Sequence, residues 1–164
     1  MHFINAEKED IGKIRELYHD AIGSPGCTWS EDYPNEDDTM GDFERNDLFC
    51  LKNDDGEIIG AISIDKDDKV ESLPCWDAAP RPSAELSRLV VKEKYQNQGI
   101  ARQLLTYGMQ ELAKRGYKSV HFLVSKTNER ALRSYAKFNF NNRGESDLYD
   151  EHWLCYEKEL QQDT

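Results

Sequence analysis

The stretch from Val91 to Ala101 joins an apolar run, Leu89-Val90-Val91, to an amphipathic one, and the joint is polar with a single glycine, Gly99, at its end. Such a joint can hold an anion. The first four amides of a helix have no intrahelical partner, and the aligned peptide dipoles put partial positive charge there. A phosphate can be cradled by those amides. Gly99 would let the backbone approach it without a Cβ in the way, and Ala101 keeps the first helical turn small. The G-x-G-x-x-G dinucleotide fingerprint is absent, and no Gly-Lys-Ser/Thr follows as in a Walker loop. One glycine before a helix also fits an ordinary strand-to-helix connection, and these residues alone do not choose between the two.

The elements that must position this joint follow from hydrophobic periodicity. Ala84 to Lys92 reads as a strand and Gly99 to Arg115 as a helix, with Ala101, Leu104, Leu105, Gly108 and Leu112 on one stripe. Gly116 stops that helix. Tyr117 to Val124 reads as a strand, Asn128 to Phe138 as a second helix and His152 to Leu160 as a final strand. Upstream, His2 to Asn5 is a short strand and Glu7 to Ile22 a helix ended by Gly23-Ser24-Pro25-Gly26. Residues 24–47 are loop-like, with a short helix around Pro34 to Phe43. Leu48 to Lys52 and Glu57 to Asp65 form a hairpin about Asn53-Asp54-Asp55-Gly56. Lys66 to Ser83 reads as a long loop, a kind often functional in compact domains. Alternating strands and helices predict an α/β domain, and with no linker or repeat, residues 1–164 read as one domain.

Gln96-x-x-Gly99-x-Ala101 resembles the Q/R-x-x-G-x-G/A acetyl-CoA signature of the GNAT superfamily of N-acetyltransferases. The apolar strand before it is similar as well. The run from Asn128 to Phe140 resembles that family's N-x-x-A-x-x-x-Y-x-x-x-G-F helix. Asn139 stands where the family usually has Gly, and Asn is the next most tolerant residue in the left-handed conformation. Together the signatures cover roughly a third of the chain. The resemblance implies a central mixed, twisted sheet of six to seven strands flanked by about four helices, with acetyl-CoA as co-substrate. It implies that Leu89, Val90 and Val91 pair with the pantetheine arm. It places the pyrophosphate on the amides of Gln98, Gly99, Ile100, Ala101 and Arg102, after Gln96. It puts Asn128 near the pantetheine and makes Tyr135 the general acid beside the sulfur. Charge alone nominates Arg130 or Lys94 for the adenosine 3′-phosphate.

The reaction so implied is direct attack of an amine on a thioester. A lysine-like ammonium, with a pKa of about 10.4, has no lone pair to attack with, so a base is required. Glu85, at the start of the cofactor strand, is the candidate, directly or through water. The N–H of Val90 is the candidate oxyanion donor. His121 reads as structural and His152 as a distant second base. Trp29, Tyr33 and Trp76, in the two irregular segments, are candidates to flank an acceptor or simply to anchor loops.

Composition narrows the partners. The net charge is -11, which argues against nucleic acid. Residues 1–87 carry 22 acidic and 8 basic side chains, whereas residues 88–137 carry 3 acidic and 11 basic. A basic middle suits an anionic ligand, and the acidic first half suits a cationic acceptor, either a small-molecule amine or a protein amine. No apolar run approaches the roughly 20 residues that cross a bilayer, and the first residues lack a secretory pattern, so a soluble, cytoplasmic protein without a membrane partner is expected. Cys27, Cys50, Cys75 and Cys155 have no metal or disulfide spacing, so no metal is expected. Cys27 and Cys75 rank low as nucleophiles. A catalytically silent acyl-CoA-binding sensor is the alternative to an enzyme, and a nucleotide-binding regulatory domain ranks last. The final strand offers an edge for a homodimer.

Overall fold

Two nearly unbroken apolar runs, Leu48–Lys52 (β2) and Ile58–Asp65 (β3), demand a sheet covered on both faces. In the computed structural model, which describes residues 1–76 and 79–161, they pair antiparallel at the heart of a seven-stranded mixed sheet. The other strands are His2–Asn5 (β1), Ser83–Val91 (β4), Ser119–Ser125 (β5), Asn141–Leu148 (β6) and Glu151–Glu159 (β7), and the spatial order is β1-β2-β3-β4-β5-β7-β6.

One face of the sheet is covered by the helix Ile100–Lys114 (α4). Its buried Leu104, Leu105 and Leu112 pack with Ile62, Ile64, Leu86 and Val120. Gly108 lets the helix lie close to β4, since a Cβ there would stand 3.2 Å from Leu86. The helix Ile11–Ala21 (α1) covers the other face through Ile14, Leu17 and Tyr18, against Leu48, Cys50, Ala61 and Val90. Its N-terminal part, expected to be helical from Glu7, is a 3-10 turn at Lys8–Asp10. The short helix near Pro34 forms at Glu36–Glu44 (α2), where Asn35 and Asp38 make a reciprocal capping box.

Three expectations need correction. The stretch read as loop from Lys66 to Ser83 contains a one-turn helix, Asp68–Glu71 (α3), capped by the Asp67 side chain; residues 77–78 of that stretch lie outside the described residues. The strand β6 carries no apolar alternation and was not anticipated, because it is an exposed edge with little to bury. The final strand β7 is therefore not an edge: it lies between β5 and β6. Tyr149 and Asp150, at φ 55° and 58°, make the two-residue reversal that joins β6 to β7.

The second helix of the signature region is Glu129–Tyr135 (α5), continued by a 3-10 turn over Ala136–Phe138. It ends at Asn139, which adopts the left-handed conformation (φ 56°, ψ 40°), as expected of an Asn standing in for Gly. Among the described residues no helix is long and apolar enough to cross a membrane.

Candidate active site

The strands β4 and β5 are parallel and pair only over Ser83↔Ser119, Ala84↔Val120 and Glu85↔His121. Beyond Glu85 they part. The cause lies on the other side of β4, where Ser63↔Ser87 and Ala61↔Val90 leave one extra residue on β4. That bulge is centred on Arg88, at φ 50°, and it bends the strand away from β5. Past the bulge the amides alternate. Lys92 donates to the Ile59 carbonyl (2.8 Å), so Val90 also faces β3, and the N–H groups of Leu89 and Val91 face the gap. The expectation that Val90 offers its N–H to a ligand is corrected accordingly.

The gap opens into a cleft of about 1280 Å³ that runs from the N-terminus of α4 past α5 to the acceptor-side loops. It exceeds the roughly 300–1,000 Å³ of a usual small-molecule site, which leaves room for two substrates together. At one end Gly99 occupies the N-cap position of α4 in the left-handed conformation (φ 81°) and, having no side chain, leaves the first helix amides uncapped. A Cβ on Gly99 would stand 3.1 Å from the Arg102 guanidinium. Leu89, Val90, Val91, Gln96, Ile100, Ala101, Arg102, Asn128 and Arg130 all line this cleft, and Gln98 does not.

The turn before Gly99 is braced from three directions. The Gln96 amide donates to the Val91 carbonyl (3.1 Å), and Arg130 donates to Gln96 Oε1 (2.6 Å). Glu57, from the β2–β3 hairpin, accepts from Lys92 (2.8 Å) and Tyr95 (2.7 Å) and pairs with Lys94 (3.2 Å). Those contacts, Lys92 foremost, pull the Glu57 pKa down to about 2. Lys94 is thus committed to Glu57 and does not line the cleft, whereas Arg133 of α5 and Lys137 of the 3-10 turn after it do. These two basic residues were not singled out from the sequence. The loop after α1 roofs the gap at Gly26 (φ 80°), where an added Cβ would meet Asn128 Cα at 2.8 Å. Asn128 itself caps α5 by accepting from Ala131 N–H (3.1 Å).

Tyr135 lies half-buried against Phe122, edge-on at 5.2 Å, and lines the cleft. Its apolar surroundings push the hydroxyl pKa up, so it keeps its proton at neutral pH. Further along β4, Glu85 is only 5% exposed, and its Oε1 has no hydrogen-bond partner. Burial, then the neighbouring Asp65 and Asp67 carboxylates, raise its pKa well above 4.5, against a pull from Arg88. A buried carboxyl raised in this way suits general acid–base work.

Arg88 is the residue that sequence reasoning missed. Its guanidinium grips Asp42 of α2 with Nε (2.8 Å) and Nη2 (2.7 Å), and it also reaches Asp65 (3.0 Å) and the Tyr33 hydroxyl (2.9 Å). Burial lifts the Asp65 pKa, but Arg88 more than reverses this and holds Asp65 ionised. The clamp ties the acceptor-side loop and α2 to the bulge. A lone arginine in an apolar strand was its only sequence signal.

Of the proposed acceptor residues, Tyr33 and Trp29 line the cleft, and Trp29 packs edge-on to Tyr18 at 5.3 Å. Trp76 does not line it. That side chain is 1% exposed, donates to the Val70 carbonyl (2.7 Å) and packs on His121. His121 is fully buried between Ser83 Oγ (2.7 Å) and Glu71 (2.8 Å), a structural role as expected. His152 pairs with Asp147 and does not line the cleft. Burial and Cys155 push the Cys75 thiol up to about 12, away from nucleophilic use. Cys27 lines the cleft and accepts from Trp29 N–H (3.4 Å). No metal-binding cluster occurs among the described residues.

A parted strand pair leading to a helix N-terminus without a side-chain cap is an arrangement that can hold a long anionic ligand along an extended backbone. Residues 14–140 match the Acetyltransferase (GNAT) family, and the chain belongs to that family of acyltransferases, whose acetyl donor is acetyl-CoA. Among solved structures, an N-acetyltransferase from Staphylococcus aureus Mu50 is similar at 22% identity and TM-score 0.73, over 98% of each chain. The putative acetyltransferase yncA from Salmonella typhimurium, solved with acetyl-CoA, is similar at 17% identity and TM-score 0.75, over 100% of this chain and 96% of that one. The ribosomal-protein-S18-alanine N-acetyltransferase from Escherichia coli is similar at 21% identity and TM-score 0.72, over 99% of this chain and 96% of that one. A search of curated proteins with the sequence finds no match.

Proposed function

We propose that this chain, acting as one catalytic domain, transfers the acetyl group of acetyl-CoA to a primary amine by direct attack within a ternary complex. The supporting observation is one continuous cleft that joins the uncapped N-terminus of α4, Tyr135 and Glu85, whose buried Oε1 has no hydrogen-bond partner. Bound acetyl-CoA supplies the thioester. The amides of Gly99 to Arg102 hold its pyrophosphate, and Arg130, Arg133 and Lys137 offset the remaining phosphate charge. The free N–H groups of Leu89 and Val91 align the pantetheine arm, and that of Leu89 is placed to stabilise the oxyanion.

Glu85 takes the proton from the incoming ammonium through water, and Tyr135 gives its proton to the leaving sulfur. The acceptor side of the cleft carries Asp37, Asp65, Asp67, Asp68, Glu85 and Glu151, which favours a cationic acceptor. Calorimetry with acetyl-CoA, followed by thiol release on addition of primary amines, tests the reading. Binding with steady thiol release is expected. Binding without release for any amine would instead point to a silent acyl-CoA sensor.

A further inference from the structure

Among the described residues, the acceptor end of the cleft holds more carboxylates than its own cations satisfy. Arg88 is shared between Asp42 and Asp65, and Arg45 between Asp42 and Asp47. Lys66 turns to the Tyr117 hydroxyl (2.9 Å). Glu85 keeps a buried oxygen without a partner. Beyond it, Asp67 accepts from Lys69 N–H (3.0 Å) and from the Tyr149 hydroxyl (2.7 Å), and Asp68 is exposed. Lys69 rests on the Tyr149 ring at 5.5 Å and offsets one of these charges, not all of them.

Two aromatic rings flank this end, and both are pinned by their hydroxyls: Tyr33 by Arg88 and Tyr149 by Asp67. Tyr149 is 56% exposed although it lines the cleft. A fixed, solvent-facing ring beside carboxylates is a surface that recognises an ammonium group. Asp65, the sheet partner of Glu85, and Asp67 are two residues apart, roughly 7 Å of extended chain, about the reach of a four-carbon diamine.

We propose that the acceptor is a small diamine or polyamine whose reacting nitrogen faces Glu85 while a second ammonium sits against Asp67, Asp68 and the Tyr149 ring. The assignment rests on the amine-transfer reading above. The chemistry is unchanged by it. The new N–C bond forms at the near nitrogen as the C–S bond breaks, and the distal nitrogen keeps its proton throughout.

The test compares kcat/KM for 1,4-diaminobutane and 4-aminobutanol at low salt, read as thiol released from acetyl-CoA. The diamine is expected to win by about 10- to 100-fold, and the advantage should shrink as salt is added. In the Asp67→Asn/Asp68→Asn double variant the ratio should fall about tenfold; Asn remains a good helix cap, so α3 should persist. Asp68→Lys alone, at an exposed position, should depress the ratio in the same direction. Equal rates for the two amines in the wild type would overturn the diamine subsite and leave amine transfer standing. A lysine-bearing peptide that outruns the diamine by tenfold would also overturn it. Failure of both small amines with acetyl-CoA bound would overturn the diamine subsite, and failure of the lysine-bearing peptide as well would sink the amine-transfer reading.

Discussion

The two ends of the cleft use opposite materials. At the α4 end the chain presents backbone: amides from Gly99 onward and the turned-out N–H groups of Leu89 and Val91. At the Glu85 end it presents side chains: carboxylates, a buried guanidinium and two tyrosines. One strand, β4, serves both, and the bulge at Arg88 divides them. Before the bulge, β4 is still paired to β5, so its side chains must do the work; after it, the backbone itself is free. Backbone recognition needs a long, regular ligand and tolerates sequence change. Side-chain recognition can be retuned residue by residue, and it is the end where specificity would be set.

Breaking the backbone end should have the largest effect. Gly99→Asp puts a Cβ and a negative charge into the phosphate cradle, and acetyl-CoA binding by calorimetry should fall by about 10³-fold or more. Retained binding would mean that the helix N-terminus is not the phosphate site. Next comes the junction of the two ends. Tyr135→Phe should lower kcat by about 10²- to 10³-fold, measured as thiol release at saturating substrates, with the KM for acetyl-CoA far less affected. An unchanged kcat would return Tyr135 to a packing role.

Glu85→Gln should lower acceptor kcat/KM by about 10²-fold at neutral pH. In the wild type the base form grows in as pH rises through the raised Glu85 pKa, so the acidic limb of the profile lies well above 4.5, and the variant should lose that limb. Stability runs the other way. The folded pKa exceeds the unfolded one, so the stability tied to this carboxyl is full below the unfolded value and is lost as pH rises through the folded one. Gln stays neutral throughout, and the variant should melt higher than wild type at and above neutral pH. An unshifted melting temperature there would mean that the Glu85 environment is more solvated than its 5% exposure implies.

The smallest expected effect is at the roof. Gly26→Ala must push the loop off Asn128, and the KM for acetyl-CoA should rise about fivefold, in line with strain of roughly 1 kcal/mol. No change would show that the loop yields freely.

Much of this was legible beforehand where burial writes a pattern. The stripe of α4, the apolar β2 and β3 and the Gly99 joint are local consequences of spacing, and each forms within a few residues of its expected bounds. The strand β6 was silent because both of its faces meet water, so nothing selects an apolar residue at every second position. Trp76 misled because an aromatic in an irregular segment reads the same whether it faces a cleft or a core; its indole bond to Val70 is the mark of the core. Tyr149 was passed over because a Tyr-Asp reversal is an uncommon two-residue turn.

The sequence by itself determined the glycine-bearing strand-to-helix joint, the strands and helices on either side of it, and the family, because helix termini, periodicity and glycine act over a few residues at a time. Only the tertiary structure decided that β4 parts from β5 at a bulge, that Arg88 is spent on Asp42, Asp65 and Tyr33, and that Glu85 is left buried with its Oε1 unpartnered. Those outcomes depend on which carboxylates meet which cation across as many as 46 residues of chain, a matter of long-range packing and desolvation that no local spacing encodes.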